Sequence, residues 1–97
     1  MPDERIRLQI EPRVLSPGTV VTVKVFAPDD AARVDGLVEM FGSPRYRLKY
    51  DKQCACWGGK AMIPIDAMIE PGSYTMRAEV EYFDGSWGYG VCQIEYK

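Results

Sequence analysis

The segment PGSYTMRAEVEYFDGSWGYGVCQIEY, from Pro71 to Tyr96, most limits what this chain can fold into. Tyr74, Met76, Ala78, Val80 and Tyr82 alternate without a break with Thr75, Arg77, Glu79 and Glu81. That period of two belongs to a strand with one buried and one wet face. Asp84-Gly85 then supplies a turn where positive φ costs little. The second arm sets Cys92, Ile94 and Tyr96 on the apolar side against Gln93, Glu95 and Lys97. The pattern predicts a long β-hairpin, and the rest of the chain must cover its apolar face.

A chain of 97 residues has room for one domain with one two-layer core. At 46% hydrophobic and 27% charged residues it has the composition of a globular domain, far from that of a disordered one. A formal charge of −2 speaks against a nucleic-acid partner, which needs a clustered basic surface. Arg45, Arg47 and Lys49 do cluster, but they alternate with Tyr46, Leu48 and Tyr50 and so read as the wet face of a strand. No apolar run approaches the ~18–20 residues that span a bilayer, so no membrane insertion is expected. The opening MPDERIRLQIEP lacks the apolar core of a signal peptide. Met1-Pro2 and an end one residue past Tyr96 have the look of cut edges. We therefore expect residues 1–97 to be a single module excised from a larger protein and monomeric alone, with neighbouring domains of the parent chain as its first partners.

In chain order, Ile6, Leu8 and Ile10 alternate with charged and polar residues until Pro12 ends a first strand. Ser16-Pro17-Gly18 is a turn. Thr19 to Ala27 follows, with Val21, Val23 and Val25 on one side and Phe26 on the polar side. Arg33 to Phe41 reads as a third strand, with Gly36 marking a bulge. Tyr46 to Tyr50 is a short fourth strand, Asp51 to Gly59 is irregular, and Lys60 to Ile65 is a fifth. Asp66 to Glu70 has room for one helical turn. Turn signals at Pro17, Pro28, Gly42, Gly58, Pro71 and Asp84 recur every 11 to 16 residues, near the rhythm of a sandwich. The predicted fold is all-β: a seven-stranded antiparallel immunoglobulin-like β-sandwich.

Pro17-Gly18 before TVVTVKV, Trp57 before GGKAMIPI, Pro71-Gly72-Ser73-Tyr74 and the late Asp84-Gly85 together resemble the immunoglobulin-like and fibronectin type III-like modules of bacterial surface and secreted proteins. Gly72-x-Tyr74 is similar to the tyrosine corner of such sandwiches, where the phenol bonds back to upstream backbone. The antibody-type Cys–Trp–Cys spacing is missing. The resemblance implies a non-catalytic structural or interaction module, a spacer, adhesive or accessory domain of an extracytoplasmic bacterial protein. Its expected location is the periplasm, the cell surface or outside the cell.

The chain has no histidine, which removes the commonest general base and every Ser-His or Cys-His pair. No phosphate loop stands between a strand and a helix. Glu79 and Glu81, two apart on a wet strand face, read as solvated carboxylates. No cofactor is expected. Three cysteines leave at least one thiol unpaired. In an extended backbone, Cys54 and Cys56 lie too far apart to bond each other. Three possibilities stay open: free structural thiols, a bridge from Cys92 to Cys54 or Cys56, and a soft-metal or redox site on Cys54, Cys56 and Cys92, with Asp51 as a further ligand. The other candidate is an aromatic surface. Trp57 in a glycine-flanked loop, with Trp87 and Tyr89 near the last turn beside Phe83, would stack sugars or a peptide in a carbohydrate-binding accessory module. Otherwise Trp57 caps the sandwich and Trp87 pairs across the hairpin with Tyr82 or Phe83.

Overall fold

A computed structural model of the chain describes residues 2–38, 46–62 and 68–97. Its strands are β1 (Arg7–Glu11), β2 (Val14–Leu15), β3 (Val20–Phe26), β4 (Ala31–Val38), β5 (Tyr46–Arg47), β6 (Lys49–Asp51), β7 (Cys56–Met62), β8 (Gly72–Tyr82) and β9 (Trp87–Tyr96). They form two sheets, β1-β3-β7-β6 and β2-β9-β8-β4-β5. Between the sheets lies one core. Ile10, Val21, Val23 and Val25 come from the first; Val34, Met76, Ala78, Val80 and Ile94 come from the second. Apolar residues at every second position give each sheet a dry face, and the sandwich lets each dry face cover the other.

The expected hairpin is present. β8 and β9 pair antiparallel from Gly72–Tyr96 to Glu81–Trp87. Met76, Ala78, Val80, Tyr82, Ile94 and Tyr96 are buried, and Gly85 takes positive φ in the turn. Burying one such Val or Ile is worth roughly 1.5–3 kcal/mol, so this element alone anchors a large share of the fold. The tyrosine corner is formed as well: the Tyr74 hydroxyl donates to the Glu70 carbonyl, four residues upstream.

Among the described residues nine strands stand where seven were expected, because β2 follows the first predicted strand and the fourth is cut in two. Proline has no N–H to continue the β1–β3 ladder, so β1 stops before Pro12. Two residues on, β2 joins the other sheet, parallel to β9. The expectation of a wholly antiparallel sandwich therefore fails at this edge. The predicted fourth strand is likewise cut at Leu48. Arg47 pairs with β4 in one sheet, Lys49 pairs with β7 in the other, and Leu48 is buried at the crossing. The bulge in β4 falls between Ala31 and Arg33, not at Gly36. Gly36 is buried for packing reasons, since a Cβ there would sit 3.3 Å from the Met76 Cε. The fifth strand begins at Cys56 rather than Lys60, because the chain straightens directly after a tight turn at 52–55. Residues 39–41 of the predicted third strand, Ile63 to Ile65 of the fifth, and Asp66 and Ala67 of the suggested helical turn lie outside the described residues. Met68 to Glu70 have no regular structure.

A clamp on the N-terminal segment was not anticipated from sequence. Gly88 and Gly90 fall in the inward phase of β9 and leave a slot where Ile6 rests. A Cβ at Gly90 would come within 2.7 Å of the Ile6 carbonyl oxygen and 2.9 Å of its Cγ2. The Asp3 N–H donates to the Tyr89 carbonyl at 2.7 Å, and the Tyr82 hydroxyl donates to the Asp3 carboxylate at 3.2 Å. Arg5 closes the clamp with an ion pair to Asp3 at 2.9 Å. Hydrogen bonds from the Arg5 side chain, then from its backbone N–H, hold the Asp3 carboxyl down to about 2 from an ordinary 3.8. Asp3 therefore favours the folded state above its unfolded pKa, and that contribution is lost as pH falls through about 2.

In urea denaturation, the wild type should lose stability between pH 3.8 and about 2, and Asp3→Asn should flatten that part of the curve. At neutral pH, Gly90→Ala should cost about 1–3 kcal/mol, since Ile6 backbone blocks the added methyl. An unchanged midpoint in Gly90→Ala, or an unaltered acid limb in Asp3→Asn, would contradict the clamp.

Candidate functional site

The cross-strand register sets the outer face of the five-stranded sheet. Even positions of β8 point into the core, so Arg77, Glu79 and Glu81 point out. The residues paired with them follow: Arg33 and Asp35 on β4, and Trp87, Tyr89 and Val91 on β9. Arg47 on β5 extends the row Asp35–Glu79–Tyr89 by one strand. Trp87 and Val91 are well exposed, at 51% and 41%.

The charges on this face are paired at short range. Arg33 meets Glu81 at 2.6 Å, Arg47 meets Asp35 at 2.6 Å and Arg77 meets Glu79 at 3.4 Å. Arg33 also lies over the Trp87 ring, 5.4 Å from its centre, and Arg77 over the Tyr89 ring at 4.1 Å. Guanidinium groups suit this double duty because they are planar and weakly hydrated, so they stack on a ring while bonding a carboxylate. The outcome is a flat mosaic of aromatic rings and neutralised charge. Glu79 is not the freely solvated carboxylate read from sequence. Its side chain is only 16% exposed, hemmed in by Arg77 and its strand neighbours. Asp35, 6% exposed, is buried outright.

The structure separates the three aromatic candidates. Trp87 and Tyr89 share the outer face of β9, and Trp87 sits opposite Glu81 rather than Tyr82 or Phe83. Trp57 belongs to β7 in the other sheet, opposite Val25, and packs against the core. It is a strand residue, not a loop residue. Its ring meets Tyr50 edge-on at 5.4 Å. The partners of Trp87 and Tyr89 had been missed, although the Asp84-Gly85 turn fixes the hairpin register and would have placed Glu81 and Glu79 beside them.

The cysteines also differ from expectation. Cys54 and Cys56 are bonded to each other. The objection to that bridge assumed an extended backbone, but residues 52–55 turn and Ala55 has φ of +52°. That left-handed residue brings the two Cα atoms to 5.2 Å, within disulfide range. Cys92 is the free thiol. It lies on β9 in the opposite sheet, half-buried against the core, and burial raises its pKa. A Cys92 bridge to either of the others is therefore not formed, and the three sulfurs are not gathered into one site.

The depression under this turn lies on the outer face of the four-stranded sheet. It is open, about 420 Å³ in volume, and is lined by Thr22, Lys24, Lys49, Tyr50, Lys52 and Lys60 together with the glycine floor of β7. Among the described residues, no three His, Cys, Asp or Glu side chains converge as a metal site would need.

No protein-family model and no curated protein matches the chain. Solved structures do match. The fibronectin(III)-like modules of Clostridium thermocellum CbhA are 12% identical, with a TM-score of 0.58, over 94% of this chain and 96% of theirs. A superoxide reductase (neelaredoxin) from Ignicoccus hospitalis is 10% identical, also with a TM-score of 0.58, over 97% of this chain and 81% of its own. The chain thus has an immunoglobulin-like, fibronectin type III-like sandwich fold, as the spacing of its turns implied. A fibronectin(III)-like module and a superoxide reductase share that scaffold, so function must be argued from sites.

The two indoles should separate in a quenching experiment. Iodide should quench most of the accessible emission in Trp57→Phe, which keeps Trp87, and little in Trp87→Phe. Equal quenching of both variants would contradict these positions.

Proposed function

We propose that the chain is a non-catalytic module of a larger extracytoplasmic bacterial protein, which docks a neighbouring domain or partner protein on the outer face of its five-stranded sheet. The observation that carries this reading is the mosaic around Trp87, Tyr89 and Val91. Aromatic rings and arginine are the residue types enriched at protein interfaces. Here the charges are already neutralised in place, so covering them leaves no carboxylate stranded without a partner.

The same arrangement makes this face a poor sugar platform. Both rings carry their own guanidinium, and Trp57 is on the other sheet. A spacer or adhesive role accords with the likeness to the CbhA modules. The lack of histidine, the commonest general base, supports a module without catalysis. The Cys54–Cys56 bond supports the compartment, since disulfides persist where the surroundings are oxidising.

Two measurements test this. Protein taken from acid-quenched cells, denatured and alkylated without reductant, should gain one label per chain; with reductant it should gain three. Three labels without reductant would overturn the extracytoplasmic reading. A photo-crosslinking residue at position 91 of the parent protein should form adducts that the same residue at position 17 does not. Equal labelling at both positions would overturn the docking face.

A further inference from the structure

The chain has five lysines, and four of them line the depression on the outer face of the four-stranded sheet: Lys24, Lys49, Lys52 and Lys60. The register accounts for the convergence. Lys24 on β3, Gly58 on β7 and Lys49 on β6 form one row across the sheet, so two ammonium groups flank a position without a side chain. Lys60, paired with Thr22, stands two residues along on the same face. The Cys54–Cys56 bond fixes the turn that holds Lys52 at the rim.

The four lysines differ from the arginines of the opposite sheet. Arg33, Arg47 and Arg77 each have a carboxylate, whereas none of these lysines is in an ion pair among the described residues. Two acids share the face. Asp51 accepts the Gln53 N–H at 2.9 Å, and Glu11 lies on the β1 edge, across Thr22 from Lys60. The lining therefore keeps an excess of positive charge on a chain that is negative overall. Like charges facing one another across a sheet repel, and the free protein leaves that repulsion uncompensated.

We propose that this depression binds an acidic polysaccharide. Carboxylates or sulfates would sit between the lysines, over the Gly58–Gly59 floor. Lysine binds as a hydrated point charge rather than a planar fork, which suits a flexible polymer whose anionic groups differ in orientation. The site is open to solvent and spans three strands, which fits a chain lying across the sheet better than a small anion. The turn is already held by its disulfide, so little ordering is needed on binding.

Polygalacturonate is the probe, with dextran as the neutral polymer and single-stranded DNA and polyphosphate as other polyanions. The protein should bind polygalacturonate at low ionic strength, more weakly as salt rises, and should ignore dextran. Lys24→Gln/Lys49→Gln/Lys60→Gln should lose roughly tenfold or more in affinity and flatten the salt dependence. Lys97→Gln should change nothing. The single reversal Lys49→Glu gives a second route should the triple variant fold poorly, and an unchanged urea midpoint certifies either. Wild-type affinity in the triple variant or in Lys49→Glu would overturn the proposal, as would tighter binding of DNA or polyphosphate, or no binding of polygalacturonate at all.

Discussion

The fold depends on the pairing of β8 with β9. Among the described residues no other two strands run beside each other for ten residues, and their inward side chains form the floor onto which the other sheet settles. Each neighbour depends on that floor. β4 is zipped to the free edge of β8, β2 is held to the far edge of β9, and the glycines of β9 admit the N-terminal segment. Ala78 and Val80, both fully buried, lie at its centre, so a large-to-small change at Val80 would open a cavity in the core.

The same pleat that buries one set of residues projects the other, and the two outer faces solve their electrostatics differently. On the five-stranded sheet Arg33, Arg47 and Arg77 each have a carboxylate partner, and two of them also cover aromatic rings. That face is close to neutral and rich in flat apolar surface. On the four-stranded sheet the lysines have no such partners among the described residues, and glycines leave the surface hollow. One face is suited to desolvation against protein, the other to a solvated anionic polymer. A single sandwich can carry both because the core isolates them from each other.

Period-two apolarity made the hairpin and β3 legible in the sequence, because burial of alternate side chains leaves little freedom in which face is which. What sequence could not disclose was decided by chain direction. At Pro12 and Leu48 the strand pattern continues or resumes while the chain crosses to the other sheet, and local residues carry no sign of that crossing. At Cys54–Cys56 the decisive fact was a left-handed conformation at Ala55, which residue type alone disfavours. The site residues show the same division. Trp87 and Tyr89 were visible as candidates. Their arginine partners required the register between strands, and the lysine depression required three strands side by side, drawn from distant parts of the chain.

Native-state hydrogen exchange at each amide tests the hairpin's central place most directly. The amides of β8 and β9 at Met76, Ala78, Val80 and Ile94 should exchange only through global unfolding, together with those of their neighbour β4 and of β3 in the facing sheet. Those of β5 and β6 should open far more readily. If the β8–β9 amides exchanged as fast as the edge strands while β3 stayed protected, the fold would rest on the other sheet, and this account would be wrong.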